Sequence, residues 1–465
     1  MGQNSQTISI VGGGLAGSEC ALQLASFGYK VLLFEMRDKV MTPAHKTQKL
    51  AELVCSNSFG SMNPISAPGQ IKWEAERLHS HVLKAAYQAQ IPAGQALGMD
   101  REFFSQIITE MIENHPNIEI RRDVVTSLKD IPRPTVIATG PLTHPSLAAD
   151  LQSHFGDSFL YFFDAIAPII DTDSIDMSIA WKADRYGKGT KDYINCPMNK
   201  EEYNNFIKEV AAARKVEPKD FEKDTPFFEG CMPIEVMVDR GPQTLRFGPM
   251  KPVGLDDPRT GRYPFAVVQL RQDNREGTAY NMVGFQTRMA YPEQKRVFKM
   301  IPGLQNAEFL KLGSIHRNLY INSPRCLSKD LSSQKDPNLY FAGQITGVEG
   351  YFESTCTGLM VSHFIHQKLS GLQASSPPRE SAFGSLLEAI TDPERADHFQ
   401  PTNMNFSLFP LLENSPKDKT IKKNLQVDRA KTALNRWALS EQKEEQAPLP
   451  RVLPVIEQRT VSAES

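Results

Sequence analysis

The stretch Thr7-Ile8-Ser9-Ile10-Val11-Gly12-Gly13-Gly14-Leu15-Ala16-Gly17-Ser18 decides the fold. Its first five residues form a β-rich run, and Gly12, Gly14 and Gly17 follow at GxGxxG spacing. Cys20, Leu24 and Phe27 then recur at helical intervals, and Gly28 is a natural stop for that helix. A second strand, Val31 to Glu35, ends on a carboxylate near the ~20-residue interval at which a dinucleotide-binding unit places its ribose ligand. A glycine turn alone is weak evidence. Strand, glycines, helix, strand and acidic end together make a βαβ unit, in which backbone N–H groups and the positive end of a helix approach a pyrophosphate and Glu35 meets ribose hydroxyls. The alternative is a tight turn in an ordinary α/β sheet.

Working outward, residues 134–140 (PTVIATG) read as a strand ending in a small turn. Residues 338–350 (NLYFAGQITGVEG) read as a strand entering a second glycine-rich turn, with a helix over 352–369 behind it. Spacings of three and four predict one amphipathic helix over 70–89 and another over 101–114. Between about 163 and 302 the pattern changes. Strand-like TLRFG, FAVVQLR and AYNMVGFQT are separated by turn-rich QDNREG, with one helical stretch at 201–214. The expected fold is α/β. Residues 1–162 and 303–437 are the two parts of a cofactor domain that is discontinuous in sequence, 163–302 an inserted α+β substrate domain, and 438–465 a disordered tail.

Composition narrows the function. The 465 residues carry 52 Lys plus Arg against 54 Asp plus Glu, and a net charge of -2 removes the simplest argument for a nucleic-acid partner. A local basic face stays open: Lys417, Lys419, Lys422, Lys423, Arg429, Lys431 and Arg436 face only Asp418 and Asp428 in their segment. Arg246, Lys251, Arg317 and Arg325 are further cations, while His316 reads as a structural histidine. No apolar run approaches the ~20 residues of a membrane-spanning helix, and the first residues enter a strand pattern without a signal-peptide layout. A cytoplasmic location without a membrane partner is expected. No metal-ligand spacing occurs. Six cysteines without a CxxC pair fit a reducing compartment.

Most of these thiols read as packing groups. Cys55, in LVCSNS, lies soon after the second strand, where the chain passes close to a bound cofactor. Cys231, in FFEGCMPIE, has carboxylates on both sides that raise a thiol pKa unless a cation opposes them.

The segments IVGGGLAGSE, ELVCSNSFGS, PFFEGCMPIEVM, LRFGPMKPVGLDDPRTG, FAVVQLRQDN, YNMVGFQT, GSIHRNLYINSP, YFAGQITGVEGYFES and FQPTNMNF make the chain similar, from about residue 7 to about 435, to the folate- and FAD-dependent tRNA (uracil-5-)-methyltransferases. Only the glycine fingerprint is generic among them. The chain departs from the family pattern at Tyr351-Phe352-Glu353-Ser354-Thr355-Cys356 and at Ser407-Leu408-Phe409, neither of which touches the two candidate cysteines. The larger GidA or MnmG flavoproteins of tRNA wobble modification are a more distant resemblance.

The resemblance implies a Rossmann-type FAD domain of the glutathione-reductase kind. With the glycine fingerprint, it implies FAD contacts at Gly12, Gly13, Gly14, Leu15, Ala16, Gly17, Glu35, Met36, Arg37, Asn57, Ser58, Thr139, Gly140, Gly343, Gln344, Glu349, Gly350, Tyr351 and Ser354. It further implies formation of 5-methyluridine in the tRNA T-loop, with 5,10-methylenetetrahydrofolate as carbon donor and NAD(P)H as source of electrons. A ribosomal RNA uridine is the alternative substrate, and no obligate protein partner is implied. Uracil C5 becomes nucleophilic once a thiolate adds to C6, so a reactive cysteine is required. The resemblance assigns Cys231 as that nucleophile and Cys55 as its partner near the flavin, with exchange of the two roles open. Glu349 and Glu353 are further acid candidates.

Overall fold

The computed structural model describes residues 6–156, 159–216, 232–372 and 375–444, without the side chains of 159–166, 315–317 and 439–444. Thr7–Val11, from Ile8 onward, is buried as a continuous run, as expected of a strand covered on both faces. It is a central strand of a six-stranded sheet. The order across that sheet is Ser332–Ser333, Asp336–Phe341, Thr135–Ile137, Thr7–Val11, Lys30–Phe34, Ile118–Arg121, and all but the first pair are parallel. Strands from both ends of the chain therefore build one sheet. The order reverses at Thr7–Val11, the kind of switch point that opens a crevice beyond the carboxyl ends of the strands.

Two helices cover one face and meet at unusually short range. Leu15–Ser26 packs against Tyr351–Leu369, and a Cβ added to Gly358 would stand 2.2 Å from the Ala16 carbonyl oxygen. The contact is continued by Tyr29, whose hydroxyl pairs with His366 Nδ1 at 3.0 Å. Arg101–Glu113 is a third helix, started by Asp100, whose side chain accepts from the Phe103 N–H.

The single helix expected over 70–89 is two, Ala67–Arg77 and His81–Gln88. The reason lies outside the segment. The buried Glu19 carboxylate accepts from the N–H groups of His81 and Val82 at 3.1 and 2.7 Å and from the Ser80 hydroxyl at 2.9 Å, so a new helix start is stabilised there and His79 turns with φ 58°.

The insert has its own core. Its antiparallel sheet runs in the order Trp181–Lys182, Tyr193–Met198, Ala266–Gln272, Ala279–Met282, Ile169–Asp171, Phe309–Lys311. The buried rings of Phe206, Phe285 and Phe298 lie among the helices Lys200–Ala212 and Tyr291–Phe298 and this sheet. The expected boundary at 302 is corrected, because Phe309–Lys311 pairs with Ile169–Asp171 and closes the insert there. A ribbon of Phe159–Ile166 with Ser314–Ile321 joins it to the first sheet's domain. TLRFG is not a strand. Thr244–Phe247 is a single helical turn bounded by Gly241 and Gly248, with only Leu245 buried.

The basic C-terminal segment is the helix Lys419–Glu444, with the Asp418 side chain accepting from the N–H groups of Thr420 and Ile421. It continues into the residues expected as tail, and 445–465 lie outside the described residues. Among the described residues no helix is long and apolar enough to cross a membrane.

Candidate active site

The three glycines of the first turn do three different things. Gly12 adopts φ 104°, and a Cβ there would fall 2.4 Å from the Ala138 carbonyl oxygen, so the turn requires glycine. A Cβ on Gly17 would stand 1.8 Å from the Gly12 carbonyl oxygen, so this glycine lets the helix sit down on its own strand. Gly14 caps the helix without a side-chain hydrogen bond, and a Cβ there would meet nothing within 4 Å. That side of the turn is open. Leu15 and Ala16, at the helix start, are themselves buried.

Glu35 ends the second strand with both oxygens engaged. Oε2 accepts from Gly13 N–H at 2.9 Å and Arg37 Nη2 at 3.1 Å; Oε1 accepts from Arg37 N–H at 2.9 Å and Arg37 Nε at 3.0 Å. Burial pushes its pKa up, but the Arg37 bonds and charge and the two backbone donors outweigh it and the net shift is downward. The carboxylate thus fixes the glycine turn, and a ribose hydroxyl must share or displace an Arg37 bond. Arg37 is buried, and its Nη1 lies 3.6 Å from Glu52 Oε2.

The second glycine turn stands on the same rim of the sheet. Gly343 has φ 84° and donates its N–H to Thr357 Oγ1 at 2.6 Å; Gln344 donates to Glu349 Oε2 at 2.7 Å. Gly350 has φ 114° and starts the helix Tyr351–Leu369, in which Thr357 Oγ1 donates to the Ser354 carbonyl. Thr139 Oγ1 bonds Thr143 Oγ1 at 2.7 Å, and Gly140, with φ 65°, has open space beside it. Asn57 and Ser58 have partners within the protein, and Asn57 Oδ1 is buried without one. The Asn57 amide donates to the carbonyls of Met99 and Gln272 at 3.1 and 2.9 Å, and Ser58 Oγ accepts from Gly60 N–H. Met36 follows Glu35 on the rim. Glu353 accepts from Met404 N–H at 3.0 Å and its pKa is raised by burial, which outweighs the Lys72 charge.

Cys55 is half-buried at the junction between the two sheets' domains. Its N–H donates to the Tyr351 hydroxyl at 2.6 Å, which ties it to the second glycine turn. Arg101 holds the same loop from the other side. Nη1 donates to the Leu53 carbonyl at 2.6 Å and Nη2 to the Cys55 carbonyl at 2.9 Å, while Nε and Nη2 grip Asp273 of the insert at 2.9 Å each. Lys311, also of the insert, donates to the Val54 carbonyl at 2.9 Å. Burial, then the Arg101 and Lys46 charges, push its pKa down to about 8, opposed by attraction to Cys55 and Asp273. Arg101, Arg271 and Lys311 all interact electrostatically with Cys55. Cys231 lies outside the described residues. Cys20, Cys196, Cys326 and Cys356 are buried; burial pushes the Cys196 thiol to about 12 and those of Cys20 and Cys356 upward as well.

Residues 7–373 match the family described as Glucose inhibited division protein A. The chain is 75% identical over 433 residues to the methylenetetrahydrofolate--tRNA-(uracil-5-)-methyltransferase TrmFO of Bdellovibrio bacteriovorus, covering 93% of this chain and 98% of that one. The chain belongs to this family. A second TrmFO relative, from Zymomonas mobilis, is 54% identical over 439 residues, 94% of this chain and 98% of its own length. In fold the chain resembles GidA of Aquifex aeolicus, with a TM-score of 0.66 at 16% identity over 95% of this chain and 75% of that one. That likeness supports the α/β architecture.

Around Cys55, the residues that sequence reading missed are Arg101, Arg271, Asp273 and Lys311. Arg101 was legible only as the start of a scaffold helix, and Asp273 only as part of a turn. Three of the expected RNA-facing cations also have partners within the protein. Arg246 Nε donates to the Phe265 carbonyl at 2.9 Å, and Arg429 donates to the carbonyls of Pro410 and Leu411. Arg325 pairs with Asp397. The side chains of His316 and Arg317 lie outside the described residues. Among the described residues no group of three His, Cys, Asp or Glu could hold a metal ion.

Proposed function

We propose that this chain methylates C5 of a T-loop uridine in tRNA, with FAD, 5,10-methylenetetrahydrofolate and NAD(P)H as cofactor and co-substrates. The observation that carries the reading is the Cys55–Tyr351 hydrogen bond: a thiol expected to act on uracil is one bond away from the turn expected to face the flavin.

FAD fits the residues present. The division of labour among Gly12, Gly14 and Gly17 is that of a Rossmann dinucleotide turn: tight turn, open approach for a pyrophosphate, close helix–strand packing. The parallel sheet would then be an FAD domain of the glutathione-reductase kind. Gly13, Gly14 and the start of Leu15–Ser26 would hold the pyrophosphate, Glu35 and Arg37 the ribose side, and Gly343, Gln344, Gly350 and Tyr351 the flavin side. Bound FAD supplies the electron pair that turns a folate-borne methylene into a methyl group.

The protein's own groups do the rest. Cys231 supplies the thiolate that adds to uracil C6, making C5 nucleophilic, and Cys55 takes the C5 proton. Arg101, Lys311 and the Tyr351 hydroxyl position Cys55 through the backbone on both sides of it. Transfer of isotope from the methylene of labelled methylenetetrahydrofolate into tRNA 5-methyluridine, in the presence of NAD(P)H and without S-adenosylmethionine, is the test. Label arriving only from S-adenosylmethionine refutes it, and mapping the label to ribosomal RNA replaces the substrate.

A further inference from the structure

Strand Ala266–Gln272 presents two chemistries on its two faces. Ala266, Val268 and Leu270 enter the core of the insert. The alternate positions are polar or carry arginine, apart from the buried Val267. The Arg246 guanidinium lies 4.3 Å from the centroid of the Phe265 ring. Arg185 Nε donates to Gln269 Oε1 at 2.9 Å. Arg271 comes next, with its Nε buried and without a hydrogen-bond partner, and Asp273 follows in the grip of Arg101, which also holds Cys55. Arg185, Arg271 and Arg101 thus follow one another from Gln269 to Asp273, with Arg246 beside Phe265 just before the strand, a row of roughly 26 Å at the rise of a strand.

The outer end of the row is aromatic and open. Phe247 is 73% exposed and Tyr186 62% exposed. The Tyr186 N–H donates to the Gly254 carbonyl, and Arg185 Nη1 donates to the Val253 carbonyl, so these segments form one surface. Two carboxylates of that surface point inward: Asp184 is buried and accepts from the N–H groups of Lys191 and Asp192, and Asp257 is buried and paired with Arg259.

We infer that this row is the track along which the substrate RNA backbone runs to Cys55, with Phe247 and Tyr186 as stacking surfaces for unpaired bases at its outer end. The inference rests on the RNA substrate proposed above and adds the place where it lies. It accounts for RNA binding by a chain of net charge -2, because phosphate contacts require only a local row of cations.

The test is fluorescence anisotropy of an unmodified tRNA transcript against the FAD-loaded protein, over a salt series. Arg185→Gln combined with Arg246→Gln should weaken binding at least ~10-fold and lower the slope of log affinity against log salt by about 1.4, the value for two single-strand phosphate contacts. Phe247→Ala, on an exposed ring, should weaken binding roughly 5- to 100-fold without changing the slope. Lys208→Gln, on an exposed face of the helix Lys200–Ala212, should change neither. Flavin reduction by NAD(P)H should be unaltered throughout, and thermal stability should change only in the double arginine variant, which loses the bonds to Gln269, Val253 and Phe265. Unchanged affinity and slope in both track variants, in a protein whose wild type binds tRNA, overturn the track, and so does a wild type that binds no RNA. A wild type that binds through these residues but transfers no folate label refutes the methylation reading alone.

Discussion

Alanine at Gly17 and alanine at Gly14 add the same methyl group three residues apart, and the structure expects different losses. At Gly17 the new Cβ would sit 1.8 Å from the Gly12 carbonyl oxygen, whereas real Cβ contacts essentially never fall under 3.0 Å, so the helix must lift off its strand by more than an ångström. Overpacking of that size costs about 1–3 kcal/mol or more, a fall of ~1–3 °C in melting temperature for a chain of this length. At Gly14 the Cβ meets nothing within 4 Å, and φ -76° suits alanine, so the fold loses only the helix-cap preference of glycine, about 1 kcal/mol at most. The loss appears on adding FAD. At a concentration 100-fold above its Kd a ligand stabilises the native state by about 2.7 kcal/mol. Wild-type protein and, from a lower baseline, Gly17→Ala should show that gain in thermal melts with and without FAD, while Gly14→Ala should show little of it. If Gly14→Ala keeps the full FAD-dependent shift, the open side of the turn is not where the pyrophosphate lies. If Gly17→Ala melts like wild type, the close packing of helix on strand is not required.

Cys231→Ala should abolish methylation and the covalent adduct with RNA containing 5-fluorouracil, with flavin content kept; an adduct that survives there and vanishes in Cys55→Ala exchanges the two roles. Arg101→Met removes the grip on the Leu53 and Cys55 carbonyls and strands the buried Asp273, a cost of about 3–5 kcal/mol by analogy with other broken buried pairs, read in a urea melt; a loss below ~1 kcal/mol would show the pair to be dispensable. Tyr351→Phe leaves the Cys55 N–H without its acceptor, so kcat should fall about tenfold at unchanged FAD content, and wild-type kcat would count against positioning through that bond. His363 has an Nε2 buried without a partner, and burial, then His366 and His79, push its pKa from 6.5 down to about 4. The unfolded chain therefore takes up the proton first, stability is fully present above 6.5, and it should decline as the pH falls toward 4; a His363→Phe variant should show a flatter decline, and an equal one would remove His363 from the account.

What could be read from the sequence follows the range of the interactions. The first glycine turn was legible because strand, turn and helix are contiguous, and Gly12 and Gly17 are required by atoms within the same unit or the neighbouring strand. The same holds for the strand Asp336–Phe341 and the helix behind it. The break at His79 was not legible, because it depends on Glu19, whose bonds to residues 80–82 cross the fold. TLRFG carries strand-like residues, yet Phe247 faces solvent and Arg246 Nε bonds the Phe265 carbonyl. Cys55 was singled out from its place after the second strand, but the groups that surround it, Arg101, Asp273, Lys311 and Tyr351, come from four separate stretches of chain. Periodicity carries no information about such meetings.

The bond between Cys55 and Tyr351 joins residues 296 positions apart, and the helix that begins at Tyr351 is also the one that closes on Ala16. A ribosome adding ~5–20 residues per second therefore takes roughly 15–60 s between making the two halves of the site. During that interval the nascent chain carries the first glycine turn and the Cys55 loop without the helix that completes them, and the insert is made within the same gap. Cofactor loading is accordingly a late event in the life of the molecule, and a stalled or truncated product that ends before Asp336 would display an exposed parallel-strand edge at Thr135–Ile137 where Asp336–Phe341 belongs, a surface for chaperones or for aggregation.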